Sequence, residues 1–234
     1  MEVKILEVCQ EVLHRLTKMS CAVNQNCESE EQLIFPSKLN NTERRVSEQE
    51  LRFLFVEVFK QKYPKLFYSI ETPTFERFKL GKFLDLFKSD EGRSASHDMS
   101  IYYKATGSYT RLLNVEFKHS NSKIENTAKD ILKLICEEQN GVFIHMLENT
   151  DSNTLNSVFE KFQTSFTKFA EKWKHDKYIE IIILSIDKKQ KKLIYHKIDK
   201  SSDIETVFKI GKVNINDFVG TEGWKYYSCI DPLR

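Results

Sequence analysis

Apolar residues recur first at helical spacing and then in alternation, and the change of period marks out the elements. From residue 2 to about 23, Val3, Leu6, Val8, Val12, Leu13 and Leu16 gather on one face of a helix. A polar stretch follows, from Asn24 to about Asn41. Ser47-Glu48-Gln49-Glu50 is a capping-box sequence, with Ser as N-cap and Glu three residues on. The helix it opens carries the stripe Leu51, Leu54, Phe55 and Val58, and Pro64 ends it after about Tyr63.

Residues 66–71 read as a first strand, closed by Thr72-Pro73, while residues 75–89 suit either a helix or an ordered loop. Residues 90–94 are a loop. Residues 97–103 and 111–118 read as two strands joined through a Thr106-Gly107-Ser108 turn. A helix over residues 126–138 turns Ile131, Leu134 and Ile135 to one side, and Asn140-Gly141 stops it. Residues 142–147 and 178–186 are strands apolar enough to be buried on both faces. Between them, residues 155–174 form a long helix with Leu155, Val158, Phe159, Phe162, Phe166 and Phe169 inward. Residues 188–192 are read as a hairpin tip and 193–198 as the returning strand. The order predicts an α/β fold, a mixed central sheet flanked by helices.

Length adds one bound and composition several. The 234 residues suit one large domain. Thirty-six basic and 34 acidic residues give a net charge of +2, which neither demands nor excludes nucleic acid. Cys9, Cys21, Cys27, Cys136 and Cys229 are odd in number and show no C-x-x-C spacing, so free thiols in a reducing cytoplasm are expected rather than disulfides or zinc. The N-terminus lacks a signal-peptide pattern, and no stretch approaches the roughly 20 apolar residues of a membrane span. A cytoplasmic protein without a membrane partner is the expectation.

The chemistry lies in the two central strands. A carboxylate inside a half-buried strand costs free energy unless a partner or a metal compensates it. Asp98 sits in one strand and Glu116-Phe117-Lys118 in the next. Alternation puts Glu116 and Lys118 on one face, and Val115, Phe117 and His119 on the other. Two carboxylates with an ammonium beside them can hold a divalent cation and orient water at a phosphodiester. E-x-K-type triplets also occur at Glu2-Val3-Lys4 and Asp187-Lys188-Lys189, but only Glu116 has an acidic strand upstream and a helix directly after it. The bland reading is a solvated ion pair on a strand face, worth well under about 1 kcal/mol.

Asp98, Glu116 and Lys118, with the helix that follows, resemble the core of the PD-(D/E)xK nuclease superfamily, over about residues 47–186. Asn114-Val115-Glu116-Phe117-Lys118 followed by Lys129-Asp130-Ile131-Leu132-Lys133-Leu134 is similar to little-characterised bacterial members. One departure is His97 where a proline often precedes the aspartate. The resemblance implies a restriction-endonuclease-like domain over 47–234, with its core at about 47–200, behind an N-terminal helical extension over 1–46. It implies an endonuclease that hydrolyses phosphodiesters with Mg2+ or Mn2+. Asp98 and Glu116 would be the metal ligands and Lys118 would activate water. DNA is favoured over RNA, in restriction, phage defence or repair. The alternatives are an RNA-cleaving member and a nuclease fold kept for binding without turnover.

Many members add a glutamate from the first core helix. Glu48 fits, since it extends the inward stripe at its N-terminal edge; Glu50 serves the capping box and Glu57 is a rival. Lys123, Lys129 and Lys133 follow the motif and are candidates for contacting substrate phosphates; the lysines of 188–192 suit a solvated turn that blunts a sheet edge better than phosphate contact. His97 and His119 should face away from the motif. Trp224, Tyr226 and Tyr227 suit packing better than base stacking. Cutting both strands of a duplex takes two active sites, which leaves room for a homodimer. The first 46 residues would supply that interface or cover the sheet.

Overall fold

A computed structural model describes residues 3–21, 31–38, 43–187, 190–209 and 223–228. Its first two helices are α1 (Ile5–Lys18) and α2 (Glu48–Lys62). The capping box forms as the sequence requires: the Ser47 hydroxyl accepts the Gln49 N–H and the Glu50 carboxylate accepts the Ser47 N–H at 2.8 Å. Strands β1 (Phe67–Lys79), β2 (Phe87–Lys88), β3 (Arg93–Ala105) and β4 (Ser108–His119) follow as an antiparallel run. Then α3 (Ile124–Cys136) leads to β5 (Asn140–Leu147), and α4 (Ser152–Phe169) leads to β6 (Tyr178–Asp187). Strands β7 (Gln190–Asp199) and β8 (Lys225–Ser228) are the last described elements, with a short α5 (Ile204–Val207) between them.

The strands form one mixed sheet ordered β2-β1-β3-β4-β5-β6-β7-β8. Among the described strands, β4, β5 and β6 run parallel, because α3 and α4 carry the chain back between them. Both crossover helices lie on one face, over Phe143, Ile181, Ile183 and Ile194. The opposite face is closed by α1 and α2, which cover Val115, Phe117, Ile144 and Ile182. Covered on both sides, β5 and β6 are almost wholly buried. The phenylalanine stripe of α4 is core, and Trp224 stacks on Phe159 with ring centres 5.0 Å apart.

Two expectations are corrected. Strand β1 does not stop at Thr72-Pro73 but runs on to Lys79, with a register shift between Pro73 and Arg77. Pro73 is tolerated because β2 pairs with β1 only at Phe78 and Lys79, so β1 is a sheet edge where the proline sits. The stretch read as helix or loop over 75–89 therefore holds the end of β1, one 3-10 turn (Phe83–Asp85) and β2. The hairpin of β6 and β7 closes at the pair Asp187–Gln190, and Lys188 and Lys189 lie outside the described residues. So do Cys27 and Cys229; Cys9, Cys21 and Cys136 are free.

Helix α1 covers the sheet. It lies against α2 and across β6 and β7, burying Ile5, Val8, Cys9, Val12, Leu13 and Leu16 in the core that α2 shares. Leu13→Ala should therefore lower unfolding stability by about 2–4 kcal/mol, as for a leucine deep in a core. Urea denaturation reads this directly, and a loss under about 0.5 kcal/mol would show that α1 is a dispensable extension.

Candidate functional site

The sheet opens where the acidic residues lie. The β3–β4 register ends at Met99–Val115. Before Met99, β3 keeps pairing with β1 through Thr72–His97 and Pro73–Ser96. Beyond Val115, β4 keeps pairing with β5 through Lys118–His145. Each strand thus follows its other neighbour, and a cleft forms between them. Backbone groups released by the split find side chains instead. The Phe117 N–H donates to Asp98 Oδ2 at 2.7 Å, and Lys133 Nζ donates to the Ser96 carbonyl at 2.8 Å.

The split also breaks the side-chain alternation. Ser100 donates to Asn114 at 2.7 Å and so shares the face of Glu116. A regular β3 would put Asp98 on that face too, and His97 on the other. The reverse occurs. His97 Nδ1 lies 2.6 Å from Glu116 Oε1, while Asp98 Oδ1 pairs with Arg52 of α2. The expectation that His97 faces away from the motif is corrected here. His119 pairs instead with Glu148, at 3.3 Å.

Glu116 has no exposed surface, and Lys133 of α3 neutralises it at 2.7 Å and 2.8 Å from its two oxygens. The same ammonium lies 3.0 Å from Asp130, whose other oxygen is 2.6 Å from Lys118. A chain of alternating charge therefore runs Glu116, Lys133, Asp130, Lys118. At the rim, Glu48 holds Arg52 at 2.8 Å, and Arg52 passes to Asp98. Among the described residues, the non-glycine residues with positive φ are Glu71 on β1, which pairs with Arg52, and Ser120 just past the end of β4.

Four carboxyls (Glu48, Asp98, Glu116, Asp130) thus face three cations (Arg52, Lys118, Lys133). The excess negative charge shows in the proton affinities. Burial pushes the Glu116 carboxyl well above its ordinary range, Lys133 pulls against that, and Asp130 and Asp98 add to it. Glu48 is raised by burial and by Asp98. Burial works against Asp130, yet Lys133 and Lys118 outweigh it and hold that carboxyl low. Burial also opposes the charges of Lys118 and Lys133, and their carboxylates more than restore them. Burial and the nearby Lys133 bring His97 down to about 3, so its ring is neutral at neutral pH.

The structure places Glu48, Asp98, Glu116 and Lys118 around the same split, with Asp98 turned toward α2 and Glu116 toward α3. The rival Glu57 is elsewhere, 3.0 Å from Arg15 of α1. Lys123 is exposed at the start of α3 and Lys129 is partly buried. Lys133 is not presented to an outside phosphate, since it is 2% exposed and spent on Glu116 and Asp130. Arg52, Asp130 and the structural part of Lys133 were missed. Apolar spacing does not mark them: Ile131, Leu132, Leu134 and Ile135 occupy one side of α3, Asp130 falls outside that arc and Lys133 lies opposite it, and both are buried by pairing with other elements.

The donors are the hard oxygens that Mg2+ or Mn2+ takes, but their present arrangement does not fit such an ion. Both oxygens of Glu116 are turned onto Lys133 and His97, and those of Asp98 onto Arg52 and the Phe117 N–H. Among the described residues no three Asp, Glu, His or Cys side chains converge as a metal would need.

Replacing Lys133 exposes the dependence. In Lys133→Met the folded state keeps the Glu116 proton to still higher pH, whereas an unfolded glutamate releases it near pH 4.3, about its free value. Above that pH the folded chain binds more protons than the unfolded one, so stability falls as pH rises toward the raised folded pKa. Urea denaturation should show a loss of about 3–5 kcal/mol at neutral pH that shrinks toward pH 4, roughly the free carboxyl range. A small loss, flat across that window, would contradict a carboxylate sealed beneath α3. Comparisons with family models, with curated proteins and with solved structures found no significant match to this chain.

Proposed function

We propose that the cleft hydrolyses phosphodiester bonds in nucleic acid, as a metal-dependent endonuclease of the PD-(D/E)xK kind. One observation carries this reading: Glu48 from α2, Asp98 from β3, and Glu116 and Lys118 from β4 meet at one split in the sheet, electrostatically within reach of each other. The elements α2, β1, β3, β4, α3 and β5 also follow the helix-strand-strand-strand-helix-strand order of that resemblance, with β2 as a two-residue addition. A restriction-endonuclease-like fold is the finer description we propose for the mixed α/β sheet.

The chain's own groups suggest their parts. Lys118 is held by Asp130 at the rim, where its ammonium can offset charge developing on a phosphorane. Arg52 is the second rim cation, and its guanidinium can donate to two non-bridging phosphate oxygens at once. Asp98 is fixed by the Phe117 N–H and faces the same opening. Mg2+ or Mn2+ is the cofactor this reading asks for, and DNA is the favoured substrate, with RNA next. A second reading, binding without turnover, is favoured by the ion pairs that take up every oxygen of Asp98 and Glu116.

Labelled single- and double-stranded DNA and RNA, incubated with Mg2+, Mn2+ or EDTA, separate the two. Cutting that needs metal and drops at least about 100-fold in both Lys118→Ala and Asp98→Ala is the expected result. Binding without cutting under every metal would move the second reading ahead. Cutting that survives both substitutions would place the chemistry elsewhere.

A further inference from the structure

The far end of the same strands carries a cluster of rings left open to solvent. Phe67 of β1 pairs across the strands with Tyr102 of β3, and Tyr102 with Arg111 of β4. Phe67 and Tyr109 arch over β3 and meet edge to face, ring centres 5.0 Å apart. The Arg111 guanidinium lies 4.2 Å from the centre of Phe75 and 5.9 Å from that of Tyr102. The Lys104 ammonium lies 5.7 Å from the Tyr109 ring. Phe75 is 70% exposed, Tyr109 55% and Phe67 41%. Rings gathered on an uncovered sheet face add little to folding, and such a patch marks a contact surface.

Its charge says what fits. The cations sit beside the rings, and Lys104 has no carboxylate partner among the described residues. Among the described residues, the carboxylates near the patch are committed: Glu137 to Arg111 at 3.3 Å, Glu76 to Lys88 at 2.6 Å, and Glu71 to Arg52. Flat π-faces with positive charge at their edges suit unstacked bases and the phosphates that join them. A duplex keeps its base faces stacked and offers them nothing.

We propose that Phe67, Phe75, Tyr102 and Tyr109, with Lys104 and Arg111, form a stacking platform for single-stranded nucleic acid. It rests on the nucleic-acid half of the proposed function but not on turnover. Arg111 precedes Glu116 by five residues on β4, roughly 17 Å along the strand. Glu137 bridges them in part: it holds Arg111 and lies 4.0 Å from His97, which touches Glu116. One strand of nucleic acid could therefore lie on the platform and reach toward the cleft.

Fluorescence anisotropy of the full chain with short labelled oligothymidylate, oligouridylate, a duplex of equal length and an abasic sugar-phosphate strand tests this. The single strands should bind more tightly than the duplex and the abasic strand. The thymidylate and uridylate arms tell DNA from RNA. Phe67→Ala and Tyr109→Ala should each weaken binding roughly ten-fold while melting like the wild type. Lys104→Gln should reduce the slope of log affinity against log salt by about 0.7. Affinity unchanged by either ring substitution, or an abasic strand bound as tightly, overturns the platform. So does a dimer that Tyr109→Ser dissociates while no oligonucleotide binds. Ring-dependent binding without any cleavage leaves the platform standing and removes the nuclease; cleavage with ring-independent binding does the opposite.

Discussion

A carboxylate with no access to water sits at the centre of the sheet, and much of the surrounding structure follows from neutralising it. Left alone, Glu116 would carry a desolvation cost of several kcal/mol. Lys133 removes most of that cost, yet it arrives on α3, so the helix must lie close over β4 with its charged positions facing inward. Asp130 then needs Lys118 to complete the chain of charge. The crossover between β4 and β5 is in this way tied to the strand it leaves, at the point where β4 parts from β3.

That same split gathers the charged groups around one opening in the sheet. Because β3 and β4 each follow their outer neighbours, Asp98 and Glu116 stay close without being ladder partners, and the N-terminal turn of α2 supplies Glu48 and Arg52 to the opening. The constellation holds one more carboxyl than cations. A proton on Glu116 can absorb that excess, and so can a cation from outside. Strongly perturbed groups of this kind cluster at functional sites, which is why the charge balance of this constellation bears on the proposed function.

Much of this was legible in the sequence, and the failures have physical causes. The capping box at Ser47, the apolar runs of β5 and β6 and the phenylalanine stripe of α4 are local signals, and they lie where periodicity puts them. Asp98, Glu116 and Lys118 stand out in the sequence by their strand context, and Glu48 by its place at the edge of the helical stripe of α2. His97 was misjudged because alternation assumes an unbroken strand, and β3 changes phase where it leaves β4. Strand β1 was cut short because Pro73 was taken as a stop, although an edge strand has no ladder bond to lose there. Arg52 and Asp130 were missed because their partners lie on other elements, and no pairing across the fold is written in local spacing.

A double-mutant cycle on Glu116→Gln and Lys133→Met, read by chemical denaturation at neutral pH, addresses the buried pair most directly. Each single substitution leaves the other's charge buried without its partner, and the two together remove both charges, so a coupling of about 2–3 kcal/mol is expected. A coupling below about 0.5 kcal/mol would mean that the two act independently, and that the charge chain beneath α3 is not what holds the cleft together.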